Sequence, residues 1–237
     1  MANTTSNQII SIEGNIGSGK STLLEQLKEE YKDNKNIVFL REPVDEWESI
    51  KDAEGTTMIE KFYADQKKYS FSFQMMAYIS RLALLKEAMS QNKNAIIISE
   101  RSLFTDKHVF AKMLYDMKNI EDVDYQIYSR WFDTFANDFP LNHIIYVKTD
   151  ANICHDRILK RSRDGESSIP QDYLNECYNY HEQMMFQMKC HCNITTLDGN
   201  TNIYNNPKTL IDWKNTIHNI INTVKEVPPF IEHLNVE

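Results

Sequence analysis

Short apolar runs alternate along the chain with longer stretches in which apolar residues recur every three or four positions. The runs QIISIE (8–13), NIVFLRE (36–42), AIIISE (95–100), HIIYVKT (143–149) and NITTLD (193–198) have the length of strands. Most are too continuously apolar to leave one face in water, as expected of strands covered on both sides. Helical spacing fills the intervals at 20–32, 55–68, 69–91, 102–117, 121–138, 151–163, 170–189 and 207–226. Pro43 stops the second strand, and Pro170 opens one of the helices. Strands separated by helices need crossover connections, which predicts an α/β fold with a five-stranded parallel sheet and helices on both faces. No repeat, linker or low-complexity stretch divides the 237 residues, so a single doubly wound domain over 1–237 is expected, with an appendage at about 226–237.

Composition narrows the partners. Hydrophobic residues make up 41% of the chain and charged residues 25%, an ordinary balance for a protein with a real core. A net charge of −8 argues against a surface that grips a nucleic-acid polymer or an anionic membrane. Any polyanion site must therefore be a local island of positive charge. No apolar run is long enough to span a bilayer, and the opening MANTTSNQ lacks the marks of a secretion or import signal. With four cysteines and no finger-like Cys/His spacing, reduced thiols and a cytoplasmic location are expected, without a zinc site at Cys190–Cys192.

The first strand runs into GNIGSGKST. Three of the six glycines (Gly14, Gly17, Gly19) fall within this loop, and Lys20, Ser21 and Thr22 follow. Gly14, Asn15, Ile16, Gly17, Ser18, Gly19, Lys20 and Ser21 fit the G-x-x-x-x-G-K-[ST] pattern between a strand and a helix. Glycines let backbone N–H groups converge on phosphate oxygens at a helix N-terminus. Lys20 would reach the β/γ-phosphates, and Ser21 would ligate Mg²⁺. The expectation is a P-loop NTPase fold that uses a nucleoside triphosphate with Mg²⁺. The motif is silent on the acceptor.

Ligands in such sheets sit beyond the carboxyl ends of the strands. The second strand delivers Glu42 there, and the third delivers Glu100 and Arg101. A carboxylate at that rim can take a proton from an attacking hydroxyl, while an arginine offsets charge on a transferred phosphoryl group. RILKRSR (157–163) concentrates Arg157, Lys160, Arg161 and Arg163 in an acidic protein, which suits a lid closing over phosphates. On helix 69–91, Gln74, Ala77 and Arg81 share one otherwise apolar face. A buried Gln and Arg there demand partners, and Asp106 is a candidate for Arg81. Trp47, Phe73 and Phe110 could sandwich an aromatic ring, although core packing is the commoner reason for such aromatics.

The ordered set GNIGSGKST, REPVDEW, FSFQMMAYISR, ERSLFTDKHVFA and RILKRSRDGESSIP resembles the signature segments of the deoxycytidine/deoxyguanosine kinase family, including the insect multisubstrate deoxynucleoside kinase. The resemblance spans about residues 9–182. It implies ATP-dependent phosphorylation of a deoxynucleoside 5′-hydroxyl by a homodimer. Glu42 would then be the general base, Arg101 would hold the 5′ oxygen and the transferred group, and Glu100 would help position Mg²⁺. Gln74 would read the base, with Arg81 and Asp106 shaping its far edge and Val44, Trp47, Phe73, Ala77 and Phe110 walling it. Tyr63 and Glu166 would meet the sugar 3′-hydroxyl, and Arg157, Arg161 and Arg163 would form a lid at about 157–169. The chain departs from the family where two adjacent acids stand in the lid, having Gly165 then Glu166. The Arg81/Asp106 pair points to deoxycytidine or a purine deoxynucleoside rather than thymidine. Two rivals remain at this point: a P-loop nucleoside monophosphate kinase, and a catalytically silent accessory subunit of the same fold.

Overall fold

A computed structural model describes residues 7–161 and 169–224. Five strands, β1 (Gln8–Glu13), β2 (Ile37–Leu40), β3 (Ile96–Glu100), β4 (His143–Lys148) and β5 (Asn193–Asp198), form one parallel sheet in the order β2-β3-β1-β4-β5. The central strand β1 lies beside β3 on one side, with Ile10 opposite Ile98, and beside β4 on the other, with Ile12 opposite Ile145. The crossover from β1 runs to β2 on one edge, and the one from β3 passes β1 to reach β4 on the other, so the winding reverses beside β1 and opens a crevice at the carboxyl end of the sheet.

The two faces are covered by different helices. Ile10 and Ile12 of β1 pack with Leu23, Leu24 and Leu27 of α1 (Lys20–Glu30) and with Trp213 and Ile217 of α10 (Pro207–Val224). Ile9 faces the other way, into a cluster with Tyr78 and Leu85 of α4 (Gln66–Gln91), Tyr128 and Phe132 of α7 (Asp122–Phe135), and Met184 of α9 (Gln171–Met188). Each fully buried aliphatic side chain contributes about 1.5–3 kcal/mol. The remaining helices are α2 (Val44–Ser49), α3 (Met58–Ala64), α5 (Leu103–Thr105), α6 (Lys112–Asp116) and α8 (Ala151–Arg161). Among the described residues, no helix is long and apolar enough to cross a membrane.

Several boundaries differ from the sequence expectation, each for a local reason. The second strand ends at Leu40, not residue 42, because Pro43 turns the chain into the unexpected short helix α2. The helix expected from residue 55 starts at Met58, where Thr57 and Glu60 form a reciprocal capping box. The helix expected from residue 69 begins at Gln66, capped by the Asp65 carboxylate accepting the Lys68 N–H. The helix expected over 102–117 is interrupted between α5 and α6 by a π-helical stretch at Asp106–Ala111. Such stretches reset which side chains face inward and recur at functional sites.

Candidate active site

The loop leaving β1 is shaped by its glycines. Gly14, Gly17 and Gly19 have φ of 145°, 79° and 104°, values that side chains disfavour. A Cβ on Gly14 would lie 2.6 Å from the Val147 carbonyl oxygen, and one on Gly17 would lie 2.6 Å from that of Cys154. The loop can therefore wrap tightly, so that Ile16, Gly17, Ser18, Gly19, Lys20, Ser21 and Thr22 line one open cleft. Gly19 precedes α1 without a side-chain cap, leaving the first helical N–H groups available to an anion. Lys20 is buried and donates from Nζ to the Asn15 carbonyl at 2.7 Å. Burial and the nearby Arg101 hold its pKa down at about 8. Asn15 shapes the loop from behind: its Nδ2 donates to the Leu174 carbonyl at 2.9 Å and its Oδ1 accepts the Ile16 N–H at 2.8 Å.

Opposite this loop lies a network of buried charges. Arg101 Nη1 donates to both Glu42 carboxylate oxygens, at 2.6 and 2.7 Å. Arg81 Nη2 reaches Glu42 Oε1 at 3.1 Å, its Nε donates to Asp106 Oδ2 at 2.9 Å, and its Nη1 donates to the Glu100 carbonyl at 2.6 Å. One guanidinium thus joins α4 to the end of β3, the turn after β2 and the π-helical stretch. Burial favours the neutral form of Glu42, but Arg101, Arg81 and Lys20 outweigh it and hold the pKa at about 2. For Asp106 burial prevails over Arg81, raising its pKa to about 6. Burial also opposes the charge on Arg81, yet Asp106 and Glu42 more than compensate and its pKa is raised. Ser21 Oγ donates to Glu100 Oε1 at 2.6 Å, which sets two side-chain oxygens side by side.

The cleft has a volume of about 350 Å³ and runs from the glycine loop past Glu42, Glu100 and Arg101 to an aromatic end. Trp47 and Phe73 meet edge to face at 5.7 Å, Phe73 stacks on Phe62 at 4.5 Å, and the Arg101 guanidinium lies 5.0 Å from the centre of the Phe110 ring. These aromatics are both core and wall. Val44, Tyr63, Gln74, Ala77 and Asp106 also line this end. Arg81 does not; it stands behind the wall and acts through Glu42 and Asp106. Among the described residues the Gln74 carboxamide has no hydrogen-bond partner, although the residue is only 2% exposed.

The other end of the cleft is lined by Arg157, Arg161, Gly199 and Thr201–Tyr204. Arg157 donates to the Ser18 carbonyl at 3.2 Å and to the Gly199 carbonyl at 2.9 Å, tying α8 to both loops. Arg163, Glu166 and most of the expected lid lie outside the described residues. Ile59, Phe62 and Tyr173 line the cleft without having been singled out in the sequence. Phe62 and Tyr173 could have been found by extending the aromatic argument to Tyr63, whereas residues 201–204 fall within LDGNTNIYNN (197–206), the stretch in which the family resemblance sets the donor-adenine loop without naming a residue.

A glycine-rich loop at a helix N-terminus thus shares one cavity with a network of buried charges and an aromatic slot. The family profile described as deoxynucleoside kinase matches residues 10–227. A protein of fowlpox virus (strain NVSL) named as a probable deoxycytidine kinase is 37% identical over 185 residues, covering 77% of this chain and 73% of the viral one. Deoxycytidine kinase of Homo sapiens is 29% identical over 245 positions, covering 92% and 89%. Mitochondrial deoxyguanosine kinase of Xenopus laevis is 27% identical over 194 positions, covering 74% and 72%. With the profile matched over most of its length and the signature residues gathered around one cleft, the chain belongs to the deoxynucleoside kinase family and is a nucleoside-phosphorylating enzyme.

Proposed function

We propose that this kinase, one catalytic domain over the whole chain, transfers the terminal phosphoryl group of ATP, with Mg²⁺, to the 5′-hydroxyl of a deoxynucleoside. Deoxycytidine or a purine deoxynucleoside is preferred to thymidine. The observation that carries this reading is the Glu42–Arg101 pair, which faces the same cleft as the phosphate loop.

Glu42 clamped by Arg101 is a weak base. When Arg101 turns to the incoming phosphoryl group, Glu42 loses its strongest opposing charge while remaining buried, so its proton affinity rises as the 5′-hydroxyl arrives beside it. Lys20 and the α1 N-terminus hold the phosphates, and Arg157, Arg161 and Arg163 shield them. The paired oxygens of Ser21 and Glu100 suit a hard cation, and Mg²⁺ bound there would neutralise phosphate charge. Tyr63 and Glu166 hold the sugar 3′-hydroxyl.

For the base, the unpartnered Gln74 carboxamide can pair with an adjacent donor and acceptor on a base edge. Asp106 beside it can accept from an exocyclic amine, which thymine replaces with a carbonyl. An ADP-release assay with all four deoxynucleosides tests the preference. Thymidine is expected to give the lowest kcat/KM, and thymidine as the best substrate would refute the assignment.

A homodimer is supported by Ile79 of α4 and by Val123, Ile127 and Trp131 of α7, large apolar side chains exposed on adjoining helices. Sedimentation at micromolar concentration should give twice the chain mass, and Trp131→Glu should halve it; a monomeric wild type rejects the dimer. All four cysteines are free, in keeping with the cytoplasm; localisation of a tagged chain to another compartment would reject that assignment.

A further inference from the structure

Glu13 is the last residue of β1 and is fully buried, yet none of the roles above uses it. It immediately precedes the phosphate loop, but its carboxylate is engaged on the opposite side. Its Oε1 accepts from Ser102 Oγ at 2.6 Å, and its Oε2 accepts from Thr105 Oγ1. A buried carboxylate is costly unless hydrogen-bonded. Here both of its oxygens are spent on a single short turn.

That turn lies between two functional groups. On one side is Arg101, a non-glycine residue with φ of 60°. Its N–H donates to the Ile12 carbonyl at 3.0 Å and its carbonyl accepts from Ser99 Oγ at 2.8 Å, so the strained backbone is held at both ends. Ser102 follows directly and caps α5 by accepting the Thr105 N–H at 3.3 Å. On the other side Thr105 leads straight into the π-helical stretch that presents Asp106 and Phe110 to the cleft.

We infer that Glu13 is a positioning residue for phosphoryl transfer, locking the Ser102–Thr105 turn so that the Arg101 backbone stays anchored where its side chain can pass from Glu42 to the transferred group, and Asp106 stays at the base end. The inference rests on the transfer proposed above. Loss of that reading would show as a wild-type protein inactive towards every deoxynucleoside, whereas this inference is judged from variants of an active enzyme.

The test measures kcat and both KM values for Glu13→Gln, alone and combined with Arg101→Ala. A small misplacement of Arg101 should lower kcat by about 10- to 100-fold. The KM for ATP should change less than about threefold, because the phosphate loop keeps its own contacts. Once Arg101 is already Ala, Glu13→Gln should lower kcat by no more than about twofold, since the group it acts through is gone. If Glu13→Gln does not fold, the Ser102→Ala/Thr105→Val double variant removes the same two hydroxyls and is held to the same criteria. Unchanged kcat in a folded variant, a loss confined to the KM for ATP, or a full additional loss on top of Arg101→Ala would overturn the inference. Failure of both variants to fold would show a structural role alone and overturn it equally.

Discussion

The two ends of the cleft are built differently. At the acceptor end Glu42, Arg81, Arg101 and Asp106 are interlocked through side-chain ion pairs, and both arginine side chains are no more than 6% exposed. At the donor end Arg157 is held by the backbone carbonyls of Ser18 and Gly199, and Tyr204 stands 75% exposed. One end is a preformed charge lattice in a dry wall. The other is framed through backbone carbonyls that hold Arg157, with Tyr204 standing out beside them. On the proposed reading, the end with geometry fixed in advance is the one that receives the hydroxyl to be deprotonated and aligned.

The most damaging way to probe this contrast is Arg81→Ala. It strands Asp106 in a buried site without its cation and leaves Glu42 to Arg101 alone, at a cost of about 3–5 kcal/mol. The melting temperature should fall by about 6–20 °C for a chain of this size. A melting temperature within a degree of wild type would show that the lattice is not under load. At the donor end, Tyr204→Ala should leave folding unchanged and raise the KM for ATP by about tenfold through lost stacking. An unchanged KM would remove Tyr204 from the donor site.

The smallest effect is a pH dependence confined to the acceptor end. Asp106, raised to about 6, gains a proton as pH falls through that value and ceases to be a full acceptor. The kcat/KM for an amine-bearing base should therefore drop about twofold at pH 6 relative to pH 8, with the limb absent in Asp106→Asn. Glu42, held at about 2, adds no limb in this range. Stability has the opposite sign for Asp106: its native pKa lies above the unfolded value of 3.8, so its contribution is present below about pH 4 and lost as pH rises through 6. A kcat/KM flat from pH 8 to 5.5 would remove Asp106 from base recognition.

The same contrast explains what could be read from the residues alone. Arg81 and Gln74 stood out because a charge and a carboxamide on an apolar helix need partners, and the structure supplies Asp106 and Glu42 for the first and leaves the second facing the cleft. The glycine loop was legible because its φ values and close contacts permit little else. At the donor end Arg157 and Arg161 were legible as residue types and the resemblance bracketed 197–206 for the donor base, but no residue of that stretch could be named, because the contacts there run through carbonyls, which every residue carries. Gly199 is a case in point: a Cβ there would strike Thr149 Oγ1 and come within 2.9 Å of the Lys148 carbonyl oxygen, yet a lone glycine after a strand announces only a turn. The π-helical stretch was equally hidden, since hydrophobic spacing over 102–117 continues through it. Arg81 was expected to shape the far edge of the base together with Asp106; the structure pairs the two but puts only Asp106 on the cleft wall, a distinction that spacing along a helix cannot encode.

The central claim is that Glu42, freed from Arg101, deprotonates the sugar hydroxyl. It is tested most directly by ADP release from Glu42→Gln, measured beside nucleoside binding by calorimetry. The variant should bind the nucleoside nearly as well as wild type while turnover falls by about two to four orders of magnitude. Full turnover in the folded variant would contradict it.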